Sequence, residues 1–288
     1  MMDTPMFCFQ CQETAGCKGC TRVGVCGKTP EVAGLQDLLV YVTKGTSALA
    51  CALRDAGKEV PVAVDRMVTL NLFTTITNAN FDAEAVTERI ERTLACNKEL
   101  AQTLGSTEGL PAAALWQGAR KDFSAKAREV GILATEDEDI RSLRELITYG
   151  LKGLSANTSH ADALLVRDPE IDAFLQRALA ATLDDSLSVD DLVKLTLECG
   201  SWGVKGMAQR SMTDGLVHLL RPEAMSKGVS ITYNDDNSIS IELHIIVENG
   251  VNLPAVCSSI MNEVRYVVTK NTGVTVKAVD VCVDSMTL

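Results

Sequence analysis

The sequence predicts an α + α/β protein: a duplicated three-helix-bundle domain followed by a small α/β domain with a β-hairpin, a helix and a final strand. Three observations carry this expectation. Apolar residues recur at three-to-four spacing up to about residue 200, a block of that helical text repeats, and beyond Gly200 the period shortens to the alternation of strands. The expected divisions are a cysteine-rich loop over 1–30, two repeated bundles over 31–200, and the small α/β domain over 201–288.

The elements follow in order. Val32 to Ala56 carries Leu35, Leu38, Leu39, Val42, Leu49 and Leu53 on one helical face. Val64 to Ile76 and Ala83 to Leu104 read as two more helices, with Asn78, Asn80 and Asp82 marking the turn between them. Gly105 to Pro111 is a loop, and the acidic run Glu136 to Asp139 a solvated helix N-terminus. The text then recurs. Leu38, Tyr41, Lys44, Gly45, Ser47 and Ala48 match Leu146, Tyr149, Lys152, Gly153, Ser155 and Ala156 at a constant offset, and Asp65, Leu72, Thr75 and Val86 match Asp172, Leu179, Thr182 and Val193 at an offset one residue shorter. A one-residue slip in a loop reconciles the two, so a helical unit is duplicated.

Val229 to Tyr233 and Ile239 to Val247 flank the polar turn Asn234-Asp235-Asp236-Asn237 and read as a hairpin. In its second strand Ile239, Ile241, Leu243 and Ile245 face one side, with Ser240, Glu242 and His244 opposite. Leu253 to Lys270 returns to helix with Gly273 as its stop, and Val274 to Val283 is a last strand of alternating valines.

A net charge of −11 over 288 residues disfavours nucleic acid and anionic membranes as partners, and agrees with a basic redox partner protein. No apolar run has the length of a transmembrane segment, and the start lacks a secretory pattern, so a cytoplasmic location is expected. Half of the ten cysteines fall between Cys8 and Cys26, which in a reducing compartment reads as a metal site rather than a disulfide framework.

Thiolates are the soft ligands that iron–sulfur clusters and zinc both accept. One set, Cys8, Cys11, Cys17 and Cys20, forms two Cys-x-x-Cys knuckles suited to zinc or a single iron. The other, Cys8, Cys11, Cys20 and Cys26, requires a loop that folds back, which Gly16, Gly19 and Gly24 permit. Spacing leaves both open. Lys18, Arg22 and Lys28 add positive charge that favours a reduced cluster.

The run Met6-Phe7-Cys8-Phe9-Gln10-Cys11-Gln12-Glu13-Thr14, with Gly19-Cys20 and Gly24-Val25-Cys26-Gly27-Lys28, closely resembles the N-terminus of the hybrid cluster (prismane) proteins, many of which are named hydroxylamine reductases. The resemblance continues through Leu35 to Leu39, Phe73 to Thr75, Glu138 to Leu146 and Ala180 to Asp185, over about 6–200. It implies a helical domain of two three-helix bundles and an iron–sulfur cluster, [4Fe-4S] with [2Fe-2S] as the alternative, held by Cys8, Cys11, Cys20 and Cys26. Cys17 falls where that family usually has no cysteine. Family members are about twice as long, and their hybrid reaction centre takes His, Glu and Cys ligands from downstream domains that nothing after Gly200 resembles.

The remaining chemistry-bearing residues have plain expectations. Cys51, Cys96, Cys199, Cys257 and Cys282 lie in apolar text and are expected to be buried inert thiols; His218 and His244 form no ligand motif, and His244 reads as a surface histidine. Trp116 and Trp202 are packing anchors, and Gly27-Lys28 lacks the rest of a phosphate loop. Residues from about 196, including Gly203 to Ala208, Thr213 to Val217, Ser226 to Val229, Ile245 to Glu248 and Gly250 to Asn252, are similar to the alkaline-shock proteins, small scaffold-like α/β domains that imply a protein partner for this segment. The function expected is electron transfer or redox sensing through one cluster. Hydroxylamine or nitric oxide reduction with a centre supplied elsewhere, and a scaffold with a structural cluster, stand as alternatives.

Overall fold

Thr29 ends the cysteine-rich loop by capping the first helix: its hydroxyl accepts from the Val32 N–H at 3.3 Å, and proline stands at the first helical position. The computed structural model describes residues 5–76, 81–220, 228–234, 236, 238–248 and 251–287. The chain forms two compact units, one of Met1–Thr77 and Asp82–Thr213 and another mainly of Asp214–Leu288.

In the first unit, α1 (Pro30–Asp55) buries Leu38, Leu39, Val42, Leu49 and Leu53 completely, the face predicted from their spacing. It is followed by α2 (Val62–Ile76) and α3 (Ala83–Leu104). Asp82 caps α3 through the N–H groups of Glu84 and Ala85, while Asn78 and Asn80, the other residues of the predicted turn, lie outside the described residues. A short α4 (Ala112–Leu115) and α5 (Arg120–Val130) lead into α6 (Glu138–Ala163), whose cap is Asp137, within the acidic run. Then come α7 (Pro169–Ala181) and α8 (Val189–Leu220).

The two copies of the repeat interlock. Val68 and Leu72 of α2 pack into one cluster with Ile147 and Leu151 of α6, Leu175 and Leu179 of α7, and Leu192 and Leu195 of α8. Leu72 and its repeat partner Leu179 are therefore in the same core, and Thr75 and Thr182 are both buried. Symmetry fails where the linker intervenes. Phe123 and Ala127 of α5 join Leu38 and Val86 in a second cluster, whereas the matching Leu146 and Val193 are 53% and 40% exposed. Among the described residues, copy one has a cover that copy two lacks.

Gly45 shows the same asymmetry at atomic scale. A Cβ there would lie 2.1 Å from the Ala113 carbonyl oxygen of α4, while one on Gly153, its repeat partner, meets nothing within 4 Å. Close backbone approach requires glycine only in the first copy. Trp202 stacks on Phe174 with centroids 4.8 Å apart, and Trp116 packs against the second cluster, so both are anchors as expected.

One expectation is corrected. The period was predicted to change after about Gly200, but α8 runs through Gly200 without a break and the first strand begins at Val229. Gly200, Gly203 and Gly206 are tolerated inside it, and at Gly206 a Cβ would sit 2.4 Å from Leu154 Cδ1 of α6, so a larger residue there would have to shift that leucine. Tertiary contact outweighs the low helix propensity of glycine.

The second unit has a three-stranded sheet of order β1 (Val229–Tyr233), β2 (Ile239–Glu248), β3 (Val276–Thr287). β1 and β2 pair antiparallel as the predicted hairpin, and Asp235 and Asn237 of its turn lie outside the described residues. β2 and β3 pair in parallel across α9 (Leu253–Thr272), capped by Asn252 and stopped by Gly273 at φ 70°. Ile239, Ile241, Val276 and Val279 face Met261, Val264 and Val268 of α9 and form this unit's core. Among the described residues no helix is long and apolar enough to cross a membrane.

Candidate metal centre

Residues 5–29 have almost no regular structure, so their shape rests on a few backbone bonds. Cys8 and Cys20 exchange two of them, Cys8 N to Cys20 O at 3.1 Å and Cys20 N to Cys8 O at 2.7 Å, an isolated antiparallel bridge. Directly opposed residues of such a bridge project to the same side. Between them, Thr14 N–H donates to Cys11 O and the Thr14 hydroxyl to Cys8 O at 3.2 Å each, which closes the turn after Cys11. The chain crosses back at Gly19, whose φ is 127°; a Cβ there would meet the Phe7 ring at 2.6 Å. Gly24 N–H donates to Lys28 O, and Gly27 N–H to Gly24 O, both at 2.8 Å, folding the loop that carries Cys26.

The five cysteines of this segment are not equivalent. Cys20 is buried; Cys8, Cys11 and Cys26 are half-buried; Cys17 is exposed, with φ of 57° on a 3-10 turn. Burial pushes the Cys11 thiol up, the Glu13 N–H opposes that, and the thiols of Cys26, Cys8 and Cys20 add to the rise in that order. Those three thiols are close enough for their charge to be felt at Cys11. Burial also raises the Cys20 thiol, but the Ala15 and Val25 N–H groups, the Thr14 hydroxyl and the Lys28 ammonium outweigh it, so its net shift is downward, toward thiolate. Lys28, only 1% exposed, brings Nζ to 3.8 Å from Cys8 Sγ.

The helical unit reaches this loop through Ala33 of α1, which packs with Met6 and Cys20, and through a polar side chain of α6. Lys152 Nζ donates to Gln10 Oε1 at 2.9 Å, and Gln10 Nε2 lies 4.0 Å from Cys8 Sγ. Beside them is a cavity of about 350 Å³ whose walls include Phe9, Gln10, Asp37, Lys44, Glu145 and Lys152. Burial pushes Asp37 up against the opposing pull of Lys152, and pushes Lys44 and Lys152 down against Glu145 and Asp37. Lys44 and Lys152 are repeat partners, so the duplication delivers one lysine from each copy to a single cavity. Spacing alone conceals this, and the repeated Lys-Gly pair is the trace of it in the sequence.

Sulfur spacing bears on which metal the loop suits. A single tetrahedral ion with bonds of about 2.3 Å holds its thiolates roughly 3.8 Å apart, and a polynuclear cluster holds them wider. Among the described residues, no three of the N-terminal thiol sulfurs lie within 4.8 Å of one another. The thiol-rich loop and the Lys28 ammonium beside Cys8 suit a negatively charged thiolate–metal group.

The other expected positions are mixed. Cys51, Cys96, Cys199, Cys257 and Cys282 are half-buried and not buried as expected. Burial does raise the thiols of Cys51, Cys96, Cys199 and Cys282, which makes them poor nucleophiles. His244 is on the outer face of β2 as expected, while the side chain of His218 lies outside the described residues.

Comparison with known proteins adds the following. The Prismane/CO dehydrogenase family matches residues 6–244, past the point near 200 where the resemblance was expected to end. The chain is 58% identical over 208 residues to a hydroxylamine reductase of Desulfovibrio desulfuricans, covering 72% of this chain and 38% of that protein. It is 50% identical over 232 residues to a hydroxylamine reductase of Clostridium tetani (70% and 40%) and 45% identical over 229 residues to one of Bacteroides fragilis (80% and 42%). The chain thus spans 38% to 42% of the length of these relatives.

Proposed function

The chain belongs to the Prismane/CO dehydrogenase family, and from that premise we propose that it is an iron–sulfur redox protein that carries electrons through one cluster held by Cys8, Cys11, Cys20 and Cys26. The observation that carries the reading is the company of Cys11: its thiol is flanked by those of Cys26, Cys8 and Cys20, and Cys17 is turned to solvent. The four sulfurs would hold the cluster, a cubane or a two-iron form, both of which take four thiolates. When bound, such a group supplies reversible one-electron transfer.

The polypeptide's own part is electrostatic and positional. The Cys8–Cys20 bridge presents two ligands on one side, Lys28 places a buried positive charge beside Cys8, and the Ala15 and Val25 N–H groups favour the Cys20 thiolate. Each interaction favours negative charge at the loop, the direction in which reduction moves it. Gln10 and Lys152 tie the loop to α6, so the ligands sit against a rigid helix.

Reduction of hydroxylamine is the second reading, favoured by the relatives that carry that name at up to 58% identity. It requires a reaction centre beyond these four cysteines. For the second unit a protein partner is proposed, since the edge strand β1 exposes Val229, Ile231 and Tyr233.

Iron and sulfide determination on anaerobically purified protein tests the proposal. About four irons and four sulfides per chain are expected for a cubane. Cys17→Ser keeps that content and Cys20→Ser loses it, with the helical circular dichroism retained. A colourless protein carrying one zinc overturns the reading, and about eight irons moves the assignment to a second centre. Hydroxylamine turnover by the cluster-loaded chain separates the two functions.

A further inference from the structure

On the outer face of the C-terminal sheet, β2 alternates Ser240, Glu242 and His244 outward, and β3 alternates Asp280, Cys282 and Asp284 outward. Parallel pairing sets His244 directly beside Cys282 and Glu242 beside Asp280. One ligand atom each from Glu242, His244 and Cys282 lie within 4.8 Å of one another. The imidazole is held from both sides, with Nε2 3.1 Å from Glu242 Oε1 and Nδ1 2.8 Å from Asp284 Oδ1. A register shift between Ile245 and Ile246 leaves Asp284 without a cross-strand partner, and such a bulge re-aims a side chain.

We propose that Glu242, His244 and Cys282 form a second metal site, for a zinc-class divalent transition ion, with Asp284 as the outer carboxylate that orients His244. The donor set is one imidazole nitrogen, one thiolate and one carboxylate oxygen, the mixture that suits zinc or cobalt and leaves a fourth position to water. The carboxylate on the far ring nitrogen is the usual companion of a ligating histidine: it fixes the tautomer so that Nε2 presents its lone pair. The site is built across two strands nearly forty residues apart, and a helix covers the opposite face of the sheet, so its backbone is held by the core of this unit. The Asp284 and Glu242 carboxylates face the two ring nitrogens of His244, and Asp280 pairs across the strands with Glu242. Ser230 of β1, opposite Glu242, brings no charge of its own. The surroundings are negative, as a dication requires.

The site is independent of the N-terminal cysteines, and its test keeps the two apart. Full-length, cluster-loaded protein is stripped of loosely bound metal and titrated anaerobically with Co2+. One Co2+ per chain is expected, with thiolate-to-cobalt absorption in the near ultraviolet and displacement by Zn2+. Cys282→Ser abolishes that absorption and His244→Gln abolishes the equivalent, while both keep the sheet's circular dichroism. Asp284→Asn keeps the absorption but weakens binding by about 10- to 100-fold, the usual effect of an outer-shell loss. No bound equivalent in the wild type, or the same absorption in Cys282→Ser, which would assign it to the N-terminal thiols, overturns the proposal.

Discussion

Asp65 and Asp172, repeat partners on α2 and α7, meet on a single guanidinium: Arg167 Nη2 bonds Asp65 Oδ2, and its Nε donates to Asp172 Oδ2 at 2.8 Å. Arg54 and Gln176 also bond Asp65 Oδ1, at 3.1 Å and 2.7 Å. The carboxylates have side-chain exposures of only 6% and 10%, so Arg167, with Arg54 on Asp65, balances two buried charges at the seam between the copies.

Arg167→Met leaves both aspartates short of their shared cation. Removing one partner of a buried ion pair costs about 3–5 kcal/mol, and because Arg167 is itself partly exposed a loss of about 3 kcal/mol is expected. Urea unfolding, with the midpoint lowered and the slope unchanged, checks it.

Stability should depend on pH through Asp172. Burial raises this carboxyl to about 6 despite the opposing Arg167, so the folded state holds a proton that the unfolded state releases near pH 4. Stability from this group is fully present below about pH 4 and lost as the pH rises to about 6. The stability difference between wild type and Asp172→Asn, measured from pH 4 to pH 7, should therefore shift against the wild type across that window; a flat difference would refute the assignment.

The glycine pair offers a matched test of the duplication. Gly45→Ala forces a methyl against the Ala113 carbonyl and should cost about 2 kcal/mol or more, as overpacking does. Gly153→Ala meets open space within a helix and should gain roughly 0.5–1 kcal/mol. Opposite signs in thermal unfolding are the expected result, and equal effects would contradict the asymmetry.

Lys28→Met removes the buried positive charge 3.8 Å from Cys8 Sγ while preserving much of its volume. The cluster proposed for this loop should keep its iron content, and its midpoint potential should move to more negative values, because the reduced state, one charge more negative, loses more stabilisation than the oxidised one. Anaerobic redox titration reads this. An unchanged potential would leave Lys28 a structural residue only.

Much of the architecture was legible in local text. Leu38, Leu39, Val42, Leu49 and Leu53 named the buried face of α1, Asp82 and Gly273 marked helix ends, and the alternation from Ile239 to Ile245 named the core face of β2. The end of α8 was misread: the apolar period was expected to change after about Gly200, yet the helix continues through Gly200, Gly203 and Gly206, of which only Gly206 lies against α6. The half-burial of Cys51 and Cys199 was illegible as well, since period identifies a face but not how near its edge a residue falls.

Period, caps, cysteine spacing and the internal repeat are properties of neighbouring residues, and the sequence by itself determined them: helices first, a hairpin, helix and strand last, and a thiol-rich loop at the start. Tertiary structure alone decided which distant groups meet. It turned Cys17 outward and set Cys8 opposite Cys20, brought Lys44 and Lys152 to one cavity, set Arg167 between two aspartates, and placed His244 beside Cys282. Such pairings depend on strand register and helix packing, which follow from burying whole faces against partners far along the chain. A one-residue slip leaves local patterns intact yet exchanges the neighbours of every side chain.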